Sequence, residues 1–145
     1  MVTLGGERGK LALINSCRKL NNLGFTLYAT SGTHMFLKYN GIHSEVIGKV
    51  FEHDQRTVIN LLQEKKIDFI INLPERGEYQ STSAKTLSDG YNIRRAAIDY
   101  KVPVFTNREA ADFFVDAIAK WHGDALPQLS LQAYKKLTVV TKGAR

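Results

Sequence analysis

Five short apolar runs, each followed by a stretch with helical spacing, constrain the fold of this chain more than any other feature. The apolar runs lie at residues 2–4, 25–29, 46–50, 68–73 and 102–107. The helical stretches lie at 7–23, 34–40, 58–62, 89–101 and 112–121. Strands that alternate with helices form a parallel sheet covered on both faces. The sequence therefore predicts a three-layer α/β/α sandwich around a five-stranded parallel sheet.

The length and charge set the class of protein. A chain of 145 residues is long enough for one domain with a real core, which we place at 1–123, and 124–145 is predicted to be a partly disordered tail. The formal net charge is +6, but the basic residues are scattered and are not interleaved with aromatics. A general attraction for anions follows, and nucleic acid is not predicted as a partner.

Cysteine usage and hydropathy indicate the compartment. The single cysteine, Cys17, shares a helical stripe with Leu13 and Leu20, which predicts a buried thiol and not a metal ligand or nucleophile. No apolar run approaches the roughly 20 residues of a membrane span, and the N-terminus lacks a signal-peptide pattern. We expect a cytoplasmic protein without a membrane partner.

A hydroxyl-rich turn follows the second predicted strand. Thr30, Ser31, Gly32 and Thr33 stand between that strand and a helix predicted to start at His34. A helix N-terminus presents free N–H groups and positive potential, so such a turn suits a phosphate or carboxylate. Ser and Thr are also the usual N-capping residues, so an ordinary cap is an equally good interpretation of the turn alone.

Further polar residues fall at the other strand ends. Lys10 follows the first strand, Lys49 lies near the end of the third, and Asn107 ends the fifth. Carboxyl ends of parallel strands share one edge, where α/β sheets bind ligands. Lys10 follows GGERG, but this stretch is not a P-loop, because the spacing of its glycines is wrong and Leu11 stands where Ser or Thr is needed.

Local signals add structural expectations for three helices. Gly41 is the predicted C′ residue of the second helix, and Asp54 is the predicted N-cap of the third. In the fourth helix, Ile93, Ala97 and Tyr100 are predicted to face inward, with the Arg94–Arg95 pair flanking them. The polar stretch 75–88 is predicted to be a loop that is mobile without ligand and closes over the strand ends when a ligand binds.

Four motifs carry a resemblance to a known family. They are YATSGT after the second strand, IGKV at the third, KIDFIINLP at the fourth and DGYNIRRAAIDYKVPVFTN across the last helix–strand pair. Over roughly residues 1–122 the chain resembles the methylglyoxal synthase-like fold. More narrowly, it is similar to the regulatory domain of the carbamoyl phosphate synthetase large subunit. The resemblance implies a sheet order of 3-2-1-4-5 and a pocket for a phosphate-bearing effector at the strand ends.

The resemblance also implies the roles of particular residues. Lys10, Thr30, Thr33 and Lys49 match the anion-binding positions, with Ser31 and Gly32 as turn backbone. No catalytic residue, metal site or cofactor is implied for this domain. Four further pocket residues are implied: Asp54, Asp89, Arg95 and Asn107.

A parent protein and a set of effectors follow from the same resemblance. The parent is a glutamine-hydrolysing, ATP-dependent carbamoyl phosphate synthetase of pyrimidine and arginine biosynthesis. Its catalytic domains are the expected partners and would hold ATP and Mg²⁺. The candidate effectors are UMP, UTP, IMP, phosphoribosyl pyrophosphate and N-acetylglutamate, and the sequence does not choose among them.

Two other relatives supply alternatives. Methylglyoxal synthase, a lyase acting on a triose phosphate, has acidic residues at the positions of Asp54 and Asp89. Its two histidine positions, however, fall on Gly6 and Thr86, which cannot replace an imidazole in proton transfer near neutral pH. The IMP cyclohydrolase domain has a lysine- and threonine-rich stretch after its third strand that is absent here. The regulatory domain is therefore favoured.

Overall fold

The computed structural model describes residues 1–4, 6–48, 56–73, 89–121, 130 and 132–133. It confirms the predicted alternation of strands and helices in an α/β fold. The strands are β1 (Val2–Leu4), β2 (Tyr28–Ala29), β3 (Glu45–Val46), β4 (Ile70–Leu73) and β5 (Val104–Phe105). The helices are α1 (Gly6–Asn22), α2 (Ser31–Tyr39), α3 (Val58–Gln63), α4 (Asp89–Asp99) and α5 (Arg108–Lys120).

The strands form one parallel sheet in the order β3-β2-β1-β4-β5. Val2 of β1 pairs with Ala29 of β2 on one side, and Thr3 pairs with Asn72 of β4 on the other. From β1 the chain adds β2 and β3 on one side of the sheet. It then adds β4 and β5 on the other side of β1. The switch point of this topology lies between β1 and β4, and a crevice outside the carboxyl ends of these strands is where such sheets bind ligands.

Helices α1, α2 and α5 cover one face of the sheet, and α3 and α4 cover the other. We call them the α1–α2–α5 layer and the α3–α4 layer. The first packs around Leu13, Cys17 and Leu20, all fully buried, so the prediction of a buried thiol is confirmed. The second packs aliphatic side chains such as Leu61 and Ile93 against the sheet. Burial of apolar surface in these two clusters is the main force that holds the layers to the sheet.

The first four helices end with the same backbone hydrogen bond. In each, the N–H three residues past the last helical residue donates to the carbonyl five residues earlier, as in Phe25 to Leu20 (3.1 Å) and Val102 to Ala97 (2.8 Å). This Schellman pattern needs a residue with positive φ. Gly24 and Gly41 supply it in α1 and α2, which confirms Gly41 as the C′ residue. In α3 and α4 the residues are lysines, with φ of 54° at Lys65 and 60° at Lys101.

Three helix starts differ from the prediction, and one of them is that of α5, which begins at Arg108 and not at residue 112. Helix α2 begins at Ser31 and not at His34, because Thr30 adopts an extended N-cap backbone and its carbonyl already accepts from Thr33 and His34. Helix α3 is capped by Thr57 and not by Asp54. The Oδ1 atom of Asn60 accepts 2.9 Å hydrogen bonds from the Thr57 N–H and hydroxyl, which fixes the start of the helix there.

Several other details also differ. Tyr100 is exposed and does not face inward, because α4 ends at Asp99 and the chain turns into the Schellman bond. β2 and β5 are shorter than the apolar runs that predicted them, and β3 pairs only through residues 45 and 46. β3 is an edge strand with one neighbour, so its side chains are exposed.

Some predictions fall outside the described residues. They concern the loop at 75–88, the tail at 124–145, Lys49 and Asp54. Among the helices that the structure describes, none is long and apolar enough to cross a membrane.

Candidate functional site

Lys10 lies against the first turn of α2. A Cβ atom built on Gly32 would stand 3.9 Å from the Lys10 Nζ atom, so the ammonium group sits directly beside the start of that helix. Lys10 is half-buried and makes no ion pair with any carboxylate in the described part of the chain. α1 follows β1 and α2 follows β2, so the contact brings two strand ends together at one cationic group.

The start of α2 retains its positive potential. The Thr30 side chain makes no capping hydrogen bond, and the first turn holds no acidic residue. Ser31 and Gly32 are exposed, and within the described ranges no acceptor meets their N–H groups. Free N–H groups at a helix start attract anions, and the Lys10 ammonium adds a full positive charge beside them.

The residues of the predicted turn do not all face the same way. Thr33 is only 2% exposed and lies beneath the first turn of α2, within the molecule. Thr30 is half-buried, whereas Ser31 and Gly32 are open to solvent. The accessible part of the turn therefore consists of the backbone of residues 31 and 32, the Ser31 hydroxyl and part of Thr30, whereas Thr33 is buried.

A polar pair that the sequence analysis missed lies at the end of β4. Asn72 is only 2% exposed, and its Oδ1 atom accepts a hydrogen bond from Nη1 of Arg94 on α4. A buried amide needs its hydrogen bonds, so this pair fixes α4 against the strand end. The signal in the sequence was Asn72, the one polar residue in the apolar stretch 69–73, which indicated a hydrogen-bonding partner but did not identify it.

The remaining predicted pocket residues have structural partners. Arg95 is exposed and forms an ion pair with Asp99 one turn further along α4, at 3.2 Å. The Asp99 carboxylate raises the pKa of the Arg95 guanidinium above its ordinary value by that hydrogen bond. Asp89 is the acidic residue in the first turn of α4. Asn107 caps α5, since its Oδ1 atom accepts from the Ala110 N–H at 2.9 Å.

The described residues on both sides of Lys49 fix where its segment begins and ends. Gly48 forms a parallel bridge with Thr57, and the Gly48 N–H donates to the Arg56 carbonyl at 2.9 Å. Gly48 is the last described residue before Lys49 and lies two residues past the end of β3. Lys49 and Asp54 themselves lie outside the described residues.

No metal site competes with this arrangement in the described part of the molecule. No group of three His, Cys, Asp or Glu residues is placed there to hold a metal ion. A cavity of about 20 Å³ lies at the amino ends of the strands, lined by Met1, Phe25 and Phe69 among others. It has room for about one water molecule and none for a nucleotide.

Comparison with known proteins identifies the family. The model of the MGS-like domain matches residues 12–106 of this chain. Multifunctional protein URA2 of Saccharomyces cerevisiae is 37% identical over 126 residues, which is 83% of this chain and 6% of that protein. The C-terminal section of the carbamoyl phosphate synthase large chain of Methanopyrus kandleri is 42% identical over 112 residues, 77% of this chain and 19% of that protein.

A third relative is the carbamoyl phosphate synthase large chain of Methanosarcina mazei, 38% identical over 129 residues, which is 88% of this chain and 11% of that protein. The chain thus spans less than a fifth of the length of each of these three curated relatives. With most of the chain from β1 to β5 matched by the family model, the chain belongs to the family of MGS-like domains.

Proposed function

We propose that this chain is the effector-binding regulatory domain of a carbamoyl phosphate synthase large chain. Its ligand is a phosphorylated nucleotide or a similar anion, bound at the carboxyl ends of the first three strands. The observation that carries the proposal is the Lys10 ammonium beside the uncapped start of α2. The names of the relatives support the choice of parent protein.

Each residue of the site supplies a particular kind of donor. Lys10 and Lys49 contribute ammonium groups, and the backbone at Ser31 and Gly32 contributes N–H groups. The Thr30 hydroxyl donates from the end of β2, and Thr33 supports the turn from beneath. Charge-assisted hydrogen bonds of this kind are the strong ones, which explains why a phosphate would be preferred over a neutral ligand.

The domain acts through a partner. The parent is a glutamine-hydrolysing, ATP-dependent ligase whose catalytic domains hold ATP and Mg²⁺ and whose product enters pyrimidine and arginine biosynthesis. The effector, one of UMP, UTP, IMP, phosphoribosyl pyrophosphate and N-acetylglutamate, shifts the population of active catalytic states. Such coupling is reciprocal, so substrates bound to the catalytic domains change the affinity of this domain for its effector by the same factor.

Methylglyoxal synthase activity is not favoured. That activity needs imidazole groups for proton transfer, and the corresponding positions hold Gly6 and Thr86.

A thermal-shift screen with the five candidate effectors tests the proposal. At about 100 times its dissociation constant a ligand adds ~2.7 kcal/mol, which for a domain of this size raises the melting temperature by roughly 5 to 10 °C. Lys10→Met should weaken binding by removing a charge-assisted contact of about 1.5 to 3 kcal/mol.

Lys38→Met is the matched control. Lys38 lies in the last turn of α2, at the opposite end of that helix from the site, and its loss should leave the affinity unchanged. If no anion shifts the melting temperature, or if both variants weaken binding equally, Lys10 and the start of α2 do not form the site.

A further inference from the structure

Arg94 and Lys10 flank the switch point of the sheet from opposite sides. Lys10 belongs to α1 in one helix layer, and Arg94 belongs to α4 in the other. The Lys10 ammonium meets the start of α2, next to β2, whereas the Arg94 guanidinium meets Asn72 of β4. β1 is the single strand that separates β2 from β4. The two half-buried cationic groups thus lie on either side of β1, one in each helix layer.

The register of the strands gives the distance between the two strand positions next to these groups, Thr30 and Asn72. Val2 pairs with Ala29, so Thr30 follows at the level of Thr3, and Thr3 pairs with Asn72. Thr30 and Asn72 therefore lie at one level, two strand spacings apart. Two spacings of about 4.8 Å make roughly 10 Å. This distance exceeds the size of one phosphate group, so a single phosphate does not span both strand positions.

The hydrogen bond to Asn72 restricts the orientation of the Arg94 guanidinium group. The buried Asn72 amide accepts from one guanidinium nitrogen, and a guanidinium carries five N–H donors in a planar, fixed fork. Holding one of them limits the directions of the others. Arg95 differs, since it is exposed and pairs with Asp99 within its own helix. The adjacent arginines thus have separate surroundings, and only Arg94 is attached to a strand end.

We propose that Arg94 is a specificity-determining residue that recognises a second anionic group of the effector, roughly 10 Å from the first. The inference rests on the proposed function, since it takes the first anionic group to bind at Lys10 and the start of α2. The site then prefers an anion with charged groups at both ends, such as a sugar phosphorylated at both ends, over a monophosphate. Asn72 is the positioning residue for Arg94.

Calorimetric titration with two sugar phosphates tests this preference. Ribose 5-phosphate carries one phosphate, and phosphoribosyl pyrophosphate carries the same phosphate with a diphosphate at the other end of the sugar. The unmodified chain should bind the second ligand about tenfold more tightly or better, as expected for a charge-assisted contact. Arg94→Met should reduce the ratio of the two affinities to near one and leave the affinity for ribose 5-phosphate unchanged.

Two further variants keep the test decisive. Arg95→Met removes the same charge from the neighbouring position and should keep the full ratio. If Arg94→Met fails to fold because Asn72 loses its partner, the double variant Arg94→Met with Asn72→Leu replaces both polar groups, and it should show the reduced ratio.

The outcomes separate the two proposals. A ratio near one in the unmodified chain overturns the role of Arg94, as does an equal loss of both affinities in Arg94→Met. An equal reduction of the ratio by Arg95→Met would show a general charge effect and overturns it too. If ribose 5-phosphate binds and Lys10→Met abolishes its binding, the first site stands whatever Arg94 does. If neither sugar phosphate binds, both proposals fail.

Discussion

The α1–α2–α5 layer packs on the sheet with aromatic rings, whereas the α3–α4 layer packs on it with aliphatic side chains. In the first, the Phe69 ring meets Phe25, Phe105 and Phe114 edge-on, with ring centroids 5.1 to 6.2 Å apart. In the second, the buried residues are Ile, Leu, Val and Ala with Met1. Edge-to-face aromatic contacts add to the burial of area, so the contact of Phe114 with this cluster strengthens the packing of α5 on the sheet.

The polar contacts of the two layers differ as well. In the α1–α2–α5 layer, polar contacts join α1 to α5, as in the hydrogen bond from the Ser16 hydroxyl to Asp112, 2.5 Å long. In the α3–α4 layer the buried polar contact joins Arg94 of α4 to Asn72 of the sheet. The first arrangement stabilises the helix that carries Lys10. The second presents a cation at a strand end, so we expect changes in one layer to alter stability and changes in the other to alter ligand choice.

The largest effect is expected from Phe69→Ala. The substitution removes the ring at the centre of the aromatic cluster, and truncation of a buried phenylalanine costs about 3 to 5 kcal/mol. Denaturant unfolding measures the loss. Phe113→Ala on α5 is the control, because that side chain is 79% exposed and its removal should change stability by less than about 0.5 kcal/mol. Equal losses would show that the ring cluster is not what holds this layer.

A pH effect of intermediate size is expected above pH 9. Burial raises the pKa of the Cys17 thiol from its ordinary value of 9.0 to about 12. The folded state then keeps a proton that the unfolded state releases, so stability is complete below pH 9 and falls as pH rises towards 12. The slope for one such group is about 1.4 kcal/mol per pH unit.

The comparison of the unmodified chain with Cys17→Val isolates this effect, because lysines and tyrosines titrate equally in both proteins. The free energy of unfolding should fall more steeply between pH 9 and 11 in the unmodified chain. Parallel curves for the two proteins would contradict the assignment, and would mean that the thiol of the α1–α2–α5 layer is accessible to water.

The smallest effect is expected from Asp116→Asn. The hydrogen bond from Lys19 lowers the pKa of the Asp116 carboxyl group below its ordinary value of 3.8. Its contribution is therefore present above that value and is lost as pH falls through the lowered one. Both side chains are about half exposed, so the shift of the unfolding midpoint should be small and should disappear at high salt.

Asp99→Asn is the matched change in the other layer, since Asp99 pairs with Arg95 inside one helix. The two midpoints should move by similarly small amounts. A loss from Asp116→Asn as large as that from Phe69→Ala would show that the ion pair between α1 and α5 stabilises this layer as much as the aromatic cluster does.

The alternation of strands and helices could be predicted from the sequence, because each buried strand is a distinct apolar run. The helix starts could not all be predicted. Asp54 has the usual chemistry of an N-cap, but the cap is Thr57, where Asn60 stands in place of the Glu or Gln of the usual capping pattern. Ser31 and Gly32 favour turns by propensity, yet both lie inside α2, since the backbone of Thr30 already sets the helix direction.

The candidate site could be predicted in the part that follows from topology. Residues directly after strands, such as Lys10 and Thr30, fall at the carboxyl edge whatever the details of packing. The role of Arg94 could not be predicted, because Arg94 and Arg95 both border the buried stripe of α4 that contains Ile93 and Ala97. The rotation of the helix against β4 decides which of the two meets Asn72, and that rotation is a property of the packed molecule.

The lysines at the ends of α3 and α4 make these helix ends sensitive to side-chain modification, whereas the glycines at the ends of α1 and α2 cannot be modified in this way. A non-glycine residue with positive φ costs roughly 1 to 2 kcal/mol, and a cation near the last carbonyls of a helix returns part of that. Acetylation of Lys65 or Lys101 would remove the attraction and keep the steric cost. Gly24 and Gly41 have neither the steric cost nor the charge. Acetylation can therefore destabilise the helix ends of the α3–α4 layer and leave those of α1 and α2 unchanged.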